Sequence, residues 1–99
     1  MKNNFNEKCY ALLKKVPRGK VVTYKEIARK LRSKGYRAVG NAMNNNKDLI
    51  NIHCYRVVKS DGTIGGYAKG IKKKIELLKK DGIEITNNRI DLKKYGWKI

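Results

Sequence analysis

Ninety-nine residues suffice for one modest apolar core and not for a second, so residues 1–99 are expected to form a single domain. Lys and Arg number 25 against 8 Asp and Glu, a formal charge of +17, and this excess without a matching rise in Glu points to a polyanionic partner such as nucleic acid, whose phosphates release counterions when neutralised. No apolar stretch approaches the roughly 20 residues of a membrane-spanning helix, no secretory core follows Met1, and Cys9 and Cys54 are too few for a disulfide scaffold, so free thiols in a reducing cytoplasm are the expectation.

Phe5, Cys9, Leu12, Leu13 and Val16 recur at helical spacing and predict an amphipathic first helix, ended by Pro17-Arg18-Gly19. Cys9 lies in that stripe and reads as a small core residue, with metal or redox chemistry as the alternative. Lys20-Val21-Val22 is a short extended lead into Thr23-Tyr24-Lys25-Glu26, a capping box that starts a helix with Ile27, Ala28 and Leu31 on its apolar face. Ser33-Lys34-Gly35 supplies the break of a helix-turn-helix, and a second helix is expected from about Tyr36 to Met43. Its small residues Ala38, Gly40 and Ala42 allow close approach, either to another helix or to a partner beyond Arg37.

Asn44-Asn45-Asn46 ends that helix. Leu49 to Ile52 and then His53 to Val58 read as extended, with Cys54 in the most apolar stretch of the chain. Ser60-Asp61-Gly62 is a turn, and Gly65-Gly66-Tyr67-Ala68-Lys69-Gly70 is a glycine-rich loop whose backbone can approach a ligand. The helix that follows is expected to put Ile71, Ile75, Leu77 and Leu78 inward and to leave Lys72, Lys73, Lys74, Lys79 and Lys80 to solvent or phosphate, closing at Asp81-Gly82. In the tail, residues 83–99, Ile83 to Thr86 and Arg89 to Leu92 predict a small hairpin about Asn87-Asn88, and Trp97 is expected to pin the end to the body. The fold class is mainly α with small β elements. One His and two distant Cys fall short of the four ligands of a structural metal site.

Taken in order, Val16-Pro17-Arg18-Gly19-Lys20-Val21, Thr23-Tyr24-Lys25-Glu26-Ile27-Ala28, Arg37-Ala38-Val39-Gly40-Asn41-Ala42, Arg56-Val57-Val58 and Gly65-Gly66-Tyr67-Ala68 resemble the O6-alkylguanine-DNA alkyltransferase family (methylated-DNA-protein-cysteine methyltransferases). The resemblance runs from about Phe5 to Gly82 and implies a winged helix-turn-helix-like fold, that of the family's C-terminal DNA-binding and acceptor domain; the N-terminal domain of many members is not seen. It implies a monomer that binds duplex DNA containing O6-alkylguanine, uses no cofactor or metal, and transfers the alkyl group irreversibly to its own Cys54. A thiolate is required for that attack, and an unperturbed thiol with a pKa of about 8.5 is only slightly ionised at neutral pH. The damaged base must also be rotated out of the stack.

By the same resemblance Arg37 fills the gap left by the rotated base, Tyr24 crowds the adjacent phosphate, and Thr23, Tyr36, Ala38, Asn41 and Arg56 complete the DNA contacts around a helix lying in the minor groove. Tyr67 hydrogen-bonds the guanine ring, the carbonyls of Cys54 and Val57 accept from its exocyclic amine, the amide of Ala68 approaches O6, and Asn46 braces the loop behind the acceptor. The family usually reads Pro-Cys-His-Arg, with the His held by a Glu. Here the stretch is His53-Cys54-Tyr55-Arg56, and Asp81 takes the Glu position. Tyr55 is a poor base whose hydroxyl can still conduct a proton toward Asp81, while His53, next to Cys54 in an extended segment, is expected to point the other way; slowed transfer follows. The alternative is an alkyltransferase-like protein, which recognises the lesion without repairing it, although such proteins carry Trp at the acceptor position.

Overall fold

The computed structural model describes residues 4–32 and 37–98. Ser33, Lys34, Gly35 and Tyr36, hence the predicted helix-turn-helix break and the DNA contact expected at Tyr36, lie outside the described residues. In chain order the elements are α1 (Asn4–Lys14), β1 (Val22–Thr23), α2 (Tyr24–Lys30), α3 (Arg37–Asn44), a 3-10 turn (Cys54–Arg56), β2 (Val57–Val58), α4 (Ile71–Lys80) and α5 (Leu92–Tyr95). The fold is mostly helical, with β1 and β2 forming a two-stranded parallel sheet in which Val22 pairs with Val57 and Thr23 with Val58.

That small sheet is a seam between two apolar clusters. Because successive strand residues face opposite sides, Val22 and Val57 enter a cluster with Cys9, Leu13 and Val16 of the α1 segment, Ile27 of α2, and Val39 and Ala42 of α3. Val21 and Val58 enter the other, with Tyr55, Ile64, Leu78, Ile83, Ile90 and Tyr95. Each such aliphatic side chain taken fully out of water contributes about 1.5–3 kcal/mol.

α2 starts where the capping box places it, the Thr23 hydroxyl accepting from the Glu26 amide at 3.0 Å. The tail returns to the seam: Val21 N donates to Tyr95 O at 2.9 Å and Trp97 N donates to Val21 O at 2.8 Å, so Trp97 anchors the end as expected.

Four expectations are corrected. Leu49 to Ile52 is a turn, because the Asp48 side chain accepts from Asn51 N at 3.2 Å and Ile52 N returns to Asp48 O at 2.9 Å, the local side-chain capture that competes with extended backbone. Residues 53–58 are not one extended run: Arg56 N donates to His53 O at 3.0 Å, curling Cys54, Tyr55 and Arg56 into the 3-10 turn, and only the β-branched pair Val57-Val58 is strand. The tail turns at Asn87 and Asn88, both left-handed at φ +53° and +61° as a tight two-residue hairpin turn requires, but only Thr86 and Arg89 pair across it. Beyond, Ile90 N bonds Gly62 O at 2.8 Å and Asp91 caps α5 through Lys93 N at 3.0 Å, so no second hairpin strand reaches Leu92. On α4, Ile71 is 54% exposed whereas Lys74, read as a solvent or phosphate lysine, is fully buried.

Candidate active site

Cys54 opens the 3-10 turn and is 5% exposed. It lines a cleft of about 130 Å³ together with Tyr24 of α2, Gly40, Met43 and Asn44 of α3, and Gly66, Tyr67 and Ala68 of the glycine-rich loop. A wider groove of about 420 Å³ shares Tyr24, Gly40 and Gly66 with it and continues to Lys25, Lys59, Ser60 and Asp61. A buried thiol therefore has an opening beside it, and the groove leading there carries two lysines.

The loop behind the sulfur is tied by Asn46, which is itself buried: its Nδ2 donates to Ile52 O at 3.0 Å and its Oδ1 accepts from Asp48 N at 2.9 Å. Burial pushes the Cys54 thiol above its ordinary pKa, opposed by a hydrogen bond from the Asn46 amide and by the charge of Lys74. Both opposing groups favour the thiolate. Cys9, buried in the α1 stripe among apolar neighbours, is pushed up to about 11 by burial alone.

Tyr55 and Asp81 meet, the phenol donating to Asp81 Oδ2 at 2.8 Å. Burial, and next the hydrogen bond to Asp81, push the Tyr55 pKa up against the smaller opposing pull of Arg56. The phenol is thus a weaker acid than in water, its proton engaged by a carboxylate, so at neutral pH it stays protonated and offers no phenolate to take the thiol proton. His53 is turned aside, its Nε2 at 3.0 Å from Ile50 O.

Of the residues implied as substrate contacts, Tyr24, Tyr67 and Ala68 line the cleft, and burial raises the pKa of both phenols. Val57 is fully buried behind it and its carbonyl already accepts from Lys74 Nζ at 2.7 Å. Of the residues implied as DNA contacts, Arg37, Ala38 and Asn41 are exposed on α3, and Thr23 is half-buried at the α2 cap. Arg56 is placed otherwise: only 8% exposed, it turns inward, its Nη1 donating to Val16 O at 2.9 Å and its Nε lying 3.3 Å from Asp81 Oδ2. A guanidinium committed to a buried carboxylate and to the end of the α1 segment is a structural tie.

Lys74 is the residue that sequence reasoning missed. It stands four positions before the buried Leu78 and so on the same helix face, a signal that its charge overrode. Among the described residues, no group of three or more His, Cys, Asp or Glu is placed to hold a metal ion, and no helix is long and apolar enough to cross a membrane.

The family model described as 6-O-methylguanine DNA methyltransferase, DNA binding domain, matches residues 4–83. A bifunctional methyltransferase/endonuclease of Picrophilus torridus is 51% identical over 87 residues, covering 87% of this chain and 29% of its own length. A methylated-DNA--protein-cysteine methyltransferase of Candida glabrata is 45% identical, covering 83% of this chain and 40% of its own length. The chain thus spans less than half of either relative. Among solved structures, S. pombe Atl1 in complex with damaged DNA containing O6-carboxymethylguanine superposes with a TM-score of 0.89 at 30% identity, over 100% of this chain and 99% of that one. The O6-methylguanine-DNA methyltransferase of Pyrococcus kodakaraensis gives a TM-score of 0.75 at 43% identity, over 83% of this chain and 48% of that one.

Proposed function

Because the chain belongs to the 6-O-methylguanine DNA methyltransferase family, matching its DNA binding domain over residues 4–83, we propose that it removes the alkyl group from O6 of guanine in duplex DNA by taking it onto Cys54. The observation that carries this reading is the cleft beside Cys54, walled by Tyr67, Ala68 and Tyr24. In the reaction the Cys54 thiolate attacks the alkyl carbon in line, the carbon–O6 bond breaks with its electrons left on guanine, and the thioether remains on the protein, which acts once. Arg37, Ala38 and Asn41 on the exposed face of α3 are the proposed DNA contacts, with Arg37 filling the space of the rotated base. The +17 charge supplies long-range attraction, so affinity should fall steeply with salt.

A second reading, lesion binding without transfer, is favoured by one observation: S. pombe Atl1, crystallised on damaged DNA, is matched over nearly its whole length. Cys54 at the acceptor position favours transfer. Mass spectrometry after equimolar incubation with O6-methylguanine duplex separates the two. Transfer predicts the gain of one methyl on the Cys54 peptide, whereas tight binding with an unmodified Cys54 after hours sinks the transfer reading and leaves the sensor.

A further inference from the structure

Lys74 is fully buried, and its Nζ donates to Val57 O at 2.7 Å and to Gly66 O at 2.9 Å. Those two bonds fix it between the end of β2 and the loop that walls the cleft. The ammonium also lies 6.0 Å from the centre of the Tyr24 ring, which lines the same cleft. Two neutral carbonyls do not offset the desolvation of a full positive charge, and among the described residues no carboxylate bridges this lysine. Gly66 and Tyr24, the two groups Lys74 touches on that side, line one cleft with Cys54, and the lysine charge pulls the Cys54 thiol toward ionisation, the thiolate in turn favouring the charged lysine.

We infer that Lys74 is the counter-cation of the Cys54 thiolate, holding on nitrogen the proton that would otherwise sit on sulfur, and so takes over the role for which Tyr55 and Asp81 are poorly suited. The inference rests on Cys54 being the acceptor. In the resting state the pair carries a thiol and an ammonium. One proton leaves to solvent, the remaining one stays on nitrogen, and the sulfur keeps an electron pair. That pair forms the bond to the alkyl carbon as the carbon–O6 bond breaks, and the guanine anion recovers a proton at N1 from solvent, so one proton is released and one consumed. The two groups titrate together. Burial pushes Lys74 down to about 8, Cys54 holds its proton on and nearby Lys59 helps drive it off; Tyr24 is the other titratable side chain facing it.

The test needs no DNA. The rate at which iodoacetamide modifies Cys54 is followed against pH by mass spectrometry of its peptide, which separates it from Cys9. Replacing Lys74→Met should move the midpoint upward by at least one pH unit, about a tenfold loss of reactivity near neutral pH, while Lys74→Arg, which keeps the charge, should hold it. A Met profile that overlays the unmodified protein overturns the pairing. Should the Met variant not fold, the ε-carbon resonance of Lys74 is titrated in the unmodified protein and in Cys54→Ser: a lower Lys74 midpoint in the Ser variant is expected, and equal midpoints overturn the inference. Loss of methyl transfer with both titrations as expected would count against the repair reaction and not against the pair.

Discussion

The Tyr55 hydroxyl lies 2.8 Å from Asp81 Oδ2, and the same carboxylate is held by Arg56 Nε at 3.3 Å and Arg18 Nε at 3.4 Å. With two cations already on Asp81, the phenol is one partner of three. Tyr55→Phe should therefore cost about 1 kcal/mol, the usual net worth of one hydrogen bond, and leave the single-turnover rate within threefold. Urea denaturation and quenched transfer assays measure the two quantities, and a tenfold slower reaction in a folded variant would put Tyr55 back on the proton path.

The two arginines around Asp81 differ in what they are worth. The Arg18 side chain is 72% exposed, so Arg18→Ala should cost less than about 1 kcal/mol. The Arg56 side chain is 10% exposed and would be left as an unpaired buried cation in Asp81→Leu, at about 3–5 kcal/mol. Thermal unfolding of the two variants side by side should show this order; similar losses would contradict it.

Stability should pass through a maximum near pH 9. Lys74 loses its proton at about 8 in the fold and at its ordinary 10.5 when unfolded, so above pH 8 the unfolded chain binds more protons and stability rises, by at most about 1.4 kcal/mol per pH unit. From pH 9 upward two opposite terms enter and outweigh it, because Cys9 and Cys54 ionise at 9.0 in the unfolded chain while both folded thiols hold their protons longer, Cys9 until about 11. Denaturant midpoints at half-unit steps of pH report the curve. Lys74→Met should lose the rise and keep the fall, and a steady decline from pH 8 in the unmodified protein would contradict the assignment.

Where local chemistry decided the conformation, the sequence was legible. The Thr23 cap, the α1 stripe, the Asn87-Asn88 turn and the helix ending at Asp81 all follow from neighbours within four residues. The departures arise from distant partners. Arg56 turns inward because Val16 O and Asp81 await it from other elements, and Lys74 is buried because Val57 and Gly66 present carbonyls there. Composition carries no trace of such pairings: the charge of Lys74 overrode its place on the Leu78 face, and Arg56 read as a DNA contact through the family resemblance. Cys54 was legible through a motif spread along the chain, but its access to a cleft depends on α2, α3 and the glycine-rich loop meeting around it.

Two glycines near the site should behave oppositely. Gly62 has φ +90° and a Cβ there would stand 2.6 Å from Ile90 O, so Gly62→Ala should cost about 3 kcal/mol. Gly66 has open space at its Cβ position yet lines the cleft beside Cys54, so Gly66→Ala should leave stability within about 0.5 kcal/mol while slowing reaction with O6-benzylguanine. Calorimetry and the transfer assay together decide, and a destabilised Gly66 variant would refute the distinction.

Arg37 stands exposed at the first position of α3. Under the proposed reaction, Arg37→Ala should slow repair in duplex at least tenfold and reaction with free O6-benzylguanine by less than twofold, since the free base needs no extrusion. Equal losses on both substrates would deny it the intercalating role.

The return of the tail to β1 governs how this chain is made and cut. Val21 exchanges its backbone hydrogen bonds with Tyr95 and Trp97, while Val22 is the residue that pairs with β2. A nascent or clipped polypeptide ending at Ile83 therefore displays a bare strand margin beside an apolar seam, a ready template for sticking to its own copies. Tags and fusion partners belong ahead of α1, and trimming to the boundary of the matched family segment should yield insoluble material.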